Sequence, residues 1–159
     1  MTSLTPNLWF DMNAEEAATF YASVFPDGRV DFVQRSPADN PSTHAGDVLL
    51  VGFTVLGMSF VGINGGPLFQ HSEAVSFQIG CESQEEADRY WDALVEGGGS
   101  HSQCGWLKDR FGISWQVTPP GMGELLGGPD PEGARRAMEA MLEMQRIDVD
   151  AMRAAYEGR

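Results

Sequence analysis

Apolar and polar positions follow two periods along this chain, a short alternation that predicts strands and a longer repeat that predicts helices. Leu8-Trp9-Phe10 opens a strand. Asn13 then stands where an N-cap is expected, with Glu15 and Glu16 in the first turn, where carboxylates complement the positive end of a helix. That helix runs to an aromatic pair, Phe20-Tyr21, and Pro26-Asp27-Gly28 ends it. Residues 30–34 read as a strand and residues 36–46 as a loop rich in Pro, Asn, Ser and Gly. Residues 48–55 and 58–63 read as a hairpin turned by Leu56-Gly57. After the link Asn64-Gly65-Gly66-Pro67, residues 75–79 alternate again. Ser83 caps a helix over 84–95, Gly97-Gly98-Gly99 stops it, and strands follow around 100–104 and 113–117.

The two halves are copies of one unit. Ala14-Glu15-Glu16-Ala17-Ala18-Thr19-Phe20-Tyr21 aligns without gaps on Gln84-Glu85-Glu86-Ala87-Asp88-Arg89-Tyr90-Trp91. Each copy is a short apolar strand, an acidic-capped helix and several short β segments, so the duplication predicts an α+β fold whose two half-barrels enclose a pocket. Beyond Pro119-Pro120 the pattern changes. A Gly- and Pro-rich stretch leads into residues 132–156, where Ala134, Ala137, Met138, Met141, Leu142 and Met152 recur at helical spacing. We expect residues 1–120 to form one domain, with modules at about 4–64 and 72–119. Residues 121–159 form a helical extension, one helix or a pair, that acts as a clamp or dimer element.

Composition narrows the partners. A chain of 159 residues, 42% apolar, suits a single domain. Acidic residues outnumber basic ones 23 to 10 for a net charge of −13, and Lys108 is the only lysine, so nucleic acid and anionic lipid are poor partners on electrostatic grounds and a cationic small ligand is welcome. No stretch approaches the roughly 20 apolar residues of a membrane span, and the opening residues 1–6 lack the charge and apolar run of a signal peptide. We therefore expect a cytoplasmic protein, with Cys81 and Cys104 as free thiols.

Four motifs carry a specific resemblance: Ala17-Ala18-x-Phe20-Tyr21-x-x-Val24-Phe25, Asn64-Gly65-Gly66-Pro67, Val75-Ser76-Phe77, and the run from Cys104-Gly105-Trp106-Leu107 through Asp109-Arg110-Phe111-Gly112-Ile113-Ser114-Trp115-Gln116-Val117. In this order they resemble the PhnB-like group of the vicinal oxygen chelate, or glyoxalase/bleomycin-resistance, superfamily, often labelled 3-demethylubiquinone-9 3-methyltransferase-like. The tail around Ala140-Met141-x-x-Met144-x-x-Ile147-Asp148 is similar to this group too. The resemblance implies tandem βαβββ modules and a homodimer. It also implies a divalent metal held by His, Gln or Glu from the first and last strand of each module, where an open site chelates two neighbouring substrate oxygens.

This chain departs from that ligand pattern. Gln116 stands where the metal-binding glutamate is expected, and the histidine slots fall near Pro6 and at Ala74 to Ser76, with no carboxylate at Val61-Gly62-Ile63. His44, His71 and His101 fall in loops or at strand edges. Neutral ligands give a hard divalent ion little binding energy, so we expect no tightly held metal and no cofactor, a weakly held ion through Gln116 and Gln78 being the alternative. The methyltransferase label finds no support in the residues either, since Gly97-Gly98-Gly99 follows a helix, whereas a nucleotide-type methyl donor rests on a glycine-rich strand-to-helix turn.

The pocket lining follows from strand parity. If Phe77 and Ile79 face their helix, Ser76, Gln78, Ser114 and Gln116 face inward, Leu8 and Phe10 wall the pocket from the first copy, and Cys104 and Trp106 stand near its rim. Amides and an aromatic wall suit a small neutral or cationic organic ligand. Three functions remain open: a metal-independent small-molecule binder, an enzyme with a weak or substrate-bridged metal, and a structural or regulatory dimer whose pocket has collapsed. Cys104 as a nucleophile lacks an activating base on its own strand face, and Asp109-Arg110 reads as a turn ion pair or a hairpin brace.

Overall fold

The computed structural model describes residues 2–159; Met1, where the opening segment and the first domain range begin, lies outside them. The chain forms two compact units, one ending at His71 and the other spanning Ser72–Arg159. In the first, β1 (Asn7–Phe10), α1 (Ala14–Val24), β2 (Arg29–Arg35), β3 (Val48–Val55) and β4 (Met58–Asn64) build a sheet in the order β1-β4-β3-β2. β1 runs parallel to β4 and the other pairs are antiparallel. Tyr21 stacks on Phe53 at 5.6 Å and Phe53 on Phe60 at 5.3 Å, and each such pair adds about 1 kcal/mol to the burial of the rings.

The parity of β1 is the reverse of the expected one. The Phe10 ring and the Ala14 Cβ both abut Gly62, so Leu8 and Phe10 lie in the core beneath α1 and do not wall a pocket. Asn13 occupies the N-cap position without a side-chain bond. The cap comes from β4, where the Asn64 Oδ1 accepts from the Ala14 N–H at 2.9 Å. The hairpin turn is as expected, Leu56 and Gly57 both having positive φ, and the Asp27 carboxylate accepts both of their N–H groups at 2.8 and 2.7 Å. Those two bonds hold its carboxyl below the ordinary value.

The second unit repeats the topology with β5 (Ser76–Gly80), α2 (Gln84–Ala93), β6 (Ser100–His101), β7 (Trp106–Lys108) and β8 (Ser114–Thr118), in the order β5-β8-β7-β6 with β5 parallel to β8. Ser83 caps α2 as expected, its Oγ accepting from the Glu86 N–H while the Glu86 carboxylate accepts from the Glu82 N–H. The strand expected over 100–104 stops at His101. Cys104 and Gly105 follow with φ of 56° and 80°, a left-handed bend that starts the short strand β7.

The tail is three helices, α3 (Met122–Leu126), α4 (Pro131–Leu142) and α5 (Val149–Glu157), around Leu125, Ala137, Ile147, Val149 and Met152. Of the stripe read from the sequence, Met138 and Leu142 stay exposed. The tail grips the second module through its α4–α5 linker, whose Met144 and Gln145 carbonyls accept the Cys104 and Gly105 N–H groups at 2.8 and 2.7 Å. Gln84 adds two bonds, donating to the Ile147 carbonyl and accepting from the Val149 N–H. Among the described residues no helix is long and apolar enough to cross a membrane.

Both cysteines are free, and burial pushes the Cys81 thiol from 9.0 up to about 11. The folded state therefore keeps its proton where the unfolded thiol has lost it, so stability is full below pH 9 and falls as pH rises towards 11. Urea denaturation across that window is expected to show the decline, and Cys81→Ala to remove this part of it.

Candidate functional site

Register in the second sheet sorts its open face into two rows. Ser76 pairs with Ser114, Ser114 with Lys108, and Lys108 with Ser100, so these four side chains share one face in a line across the strands. In the adjacent row Gln78 pairs with Gln116 and Gln116 with Trp106. The intervening positions, Ile79, Leu107, Trp115 and Val117, are buried on the α2 side. The alternation expected for β5 and β8 is the one observed.

A cavity of about 510 Å³ opens on this face, lined by Glu73, residues 100–104, Trp106, Leu107, Lys108 and Ser114. Ser114 is 2% exposed, and its Oγ has no hydrogen-bond partner among the described residues. A buried hydroxyl without a partner costs about 1–3 kcal/mol, a cost that a bound acceptor or donor removes. Lys108 pairs with the Glu73 carboxylate; its own side chain is 36% exposed and that of Glu73 is 66% exposed. This contact holds the Glu73 carboxyl below its ordinary value.

Of the seven residues selected from the sequence, the structure brings Cys104, Trp106 and Ser114 to the cavity wall. Ser76 and Gln116 lie beside them in the sheet and bond to each other, the Gln116 amide donating to the Ser76 Oγ at 2.8 Å. Gln78 is exposed further along that face, and Phe10 belongs to the core of the first unit. Sequence reasoning missed Glu73, Ser100, Ser102, Gln103 and Lys108. For Lys108 a signal existed in its being the sole lysine, flanked at alternate positions by Trp106.

Other candidates resolve into structure. Asp109 is 3% exposed and braces the β7–β8 hairpin as expected, its Oδ1 accepting from the Phe111 and Ile113 N–H groups and its Oδ2 from the Trp115 indole at 2.8 Å. The His101 ring stacks on Trp91 at 4.2 Å with its Nε2 3.0 Å from the Trp91 carbonyl. His71 contacts the Trp9 carbonyl at 2.7 Å, and His44 lies exposed beside Asp39.

The divalent metal implied by the resemblance is poorly served by these donors. Among the described residues no three or more His, Cys, Asp or Glu side chains come together. The open face offers neutral hydroxyls and amides, which give a hard divalent ion little binding energy, and the Lys108 ammonium in the row of Ser114 repels a cation. A nucleotide-type methyl donor fits no better, because Gly97 and Gly98 carry the chain out of α2 with φ of 80° and 127°.

Residues 2–118 match a family described as 3-demethylubiquinone-9 3-methyltransferase. A PhnB protein from Bacillus cereus is 30% identical, with 74% of this chain and 98% of that chain covered at a TM-score of 0.64. A Pseudomonas aeruginosa protein is 23% identical over 74% of this chain and 97% of its own, at a TM-score of 0.61. A glyoxalase/bleomycin resistance protein from Albidiferax ferrireducens is 17% identical over 71% and 95%, at a TM-score of 0.43. No curated protein matches the chain. The family match ends with β8, so α3, α4 and α5 lie beyond it.

Proposed function

Because the chain belongs to the 3-demethylubiquinone-9 3-methyltransferase family, the PhnB-like group of the vicinal oxygen chelate superfamily, we propose that it binds a small organic molecule in the second-module cavity without a tightly held metal. One observation carries this reading: a cavity of about 510 Å³, within the size range of small-molecule sites, has in its wall a buried hydroxyl that lacks a partner. A collapsed pocket would have satisfied that hydroxyl or filled the space. The donor chemistry argues against a metal, since the slot facing Gln78 is the neutral Gln116 and the adjacent row carries a lysine. A homodimer fits the same reading, supported by the exposed Val30, Phe32 and Val33 on the edge strand β2.

The test is the metal content of the purified protein together with its thermal midpoint. Chelator, and added manganese, nickel, zinc or iron, are expected to leave the midpoint unchanged, because an ion that does not bind the native state cannot stabilise it. Stoichiometric metal, or a midpoint lowered by chelator and restored by one ion, overturns the reading in favour of a metal-dependent enzyme of the glyoxalase or dioxygenase type.

A further inference from the structure

Resting on the cavity reading above, we propose that the ligand is an organic monoanion with a flat apolar body, its carboxylate or equivalent oxyanion received by Lys108 and Ser114, and that Glu73 occupies the lysine until the ligand displaces it. Charge placement is the first argument. In a chain of net charge −13 the only lysine stands in the wall of this cavity, on a strand, with its stem half-buried. A lysine serving solubility alone has no reason to be there. An ammonium placed against a low-dielectric wall attracts an anion more strongly than one in open water.

Geometry supplies the second. Ser114 is the register partner of Lys108 on the same face and both line the cavity, so an oxyanion seated between them would accept from the ammonium and from this hydroxyl. Ser76 accepts from the Gln116 amide, and Ser114 is the hydroxyl of that row that is buried without a partner among the described residues. Trp106, one row along, offers the flat surface for the ligand's body.

The third argument fixes the charge. The other partner, Glu73, comes from the exposed stretch ahead of β5 and is itself 66% exposed, so it is the half of the pair that swings away at little cost. It already presents a carboxylate to Lys108, as the ligand would. Once Glu73 has swung away, the single ammonium in the wall balances a monoanion, whereas a dianion such as a phosphate monoester leaves charge uncompensated.

Calorimetric titration with 2-naphthoate, 2-naphthamide and 2-naphthylmethylamine tests this on the full chain. The carboxylate is expected to bind about tenfold more tightly than the amide, and the amine more weakly than either. Lys108→Met is expected to erase the preference of carboxylate over amide, Ser114→Ala to weaken carboxylate binding about fivefold, and Glu73→Gln to tighten it severalfold. Circular dichroism of each variant separates loss of binding from loss of fold, and Glu73→Gln, at an exposed position, keeps the test decisive should Lys108→Met fail to fold. Amide or amine binding as tightly as the carboxylate, or tightening absent in Glu73→Gln, overturns the anion assignment and leaves the cavity reading standing. No binding by any of the three, in wild type and Glu73→Gln alike, overturns both.

Discussion

Asp109→Ala is expected to lower folding stability by about 4 kcal/mol, the largest effect of any single polar substitution in the second unit. The carboxylate is 3% exposed and accepts from the Phe111 N–H, the Ile113 N–H and the Trp115 indole. Truncation leaves those donors without their acceptor, and bonds to a charged acceptor contribute about 1.5–3 kcal/mol each. Asp109→Asn is the informative control. It keeps an oxygen for the two turn amides but points an N–H at the indole N–H, so about 2 kcal/mol is expected to be lost. Urea unfolding followed by tryptophan fluorescence measures both, and equal losses in the two variants would refute the division of labour between the two carboxylate oxygens.

Gly105→Ala is expected to cost about 3 kcal/mol and to weaken ligand binding at the cavity as well. Gly105 has a φ of 80°, where an L side chain costs about 1 kcal/mol. A Cβ there meets the Val117 carbonyl oxygen at 2.7 Å and the Ile147 Cγ1 at 3.0 Å. The carbonyl cannot retreat, because it belongs to a strand whose Val117 N–H donates back to the Gly105 carbonyl at 2.8 Å. Relief must therefore come from the bend itself, which sets Cys104 and Trp106 in the cavity wall. Gly66→Ala is a matched control, a glycine of similar φ (82°) with nothing within 4 Å of the added Cβ, expected to lose only the conformational part. Thermal denaturation of the pair separates backbone strain from the steric clash.

The elements with strong local signals were legible in the sequence. Ser83, Leu56-Gly57 and Gly97-Gly98 act through backbone groups a few residues away, so their chemistry determines the local turn whatever the tertiary surroundings. The repeat likewise announced two modules of one topology. What was not legible depended on distant partners. Asn13 looks like a cap, yet the oxygen that caps the Ala14 N–H arrives from Asn64, fifty residues beyond Ala14. A three-residue strand such as β7 is too short for any period, and its start depends on a left-handed Cys104, a conformation few sequence rules assign to cysteine. Without β7 the alternation that puts Lys108 beside Ser114 could not be drawn. Leu8-Trp9-Phe10 is apolar at every position, so parity had no signal there and Phe10 went to the wrong face.

In each unit the first strand finds its parallel neighbour in the last, Asn7–Phe10 with Met58–Asn64 and Ser76–Gly80 with Ser114–Thr118. The opening strand consequently has no ladder to join until its whole module has been made, and it emerges from the ribosome as an unpaired apolar segment. The local antiparallel pairs can form first, but closing so long a loop to add the opening strand slows completion of the sheet. Each module's sheet is thus complete only when both of its terminal strands are present. A break or insertion anywhere between its terminal strands acts on the closure of the entire sheet, while duplication of the complete module leaves that closure intact, which gives a physical reason for copying it whole.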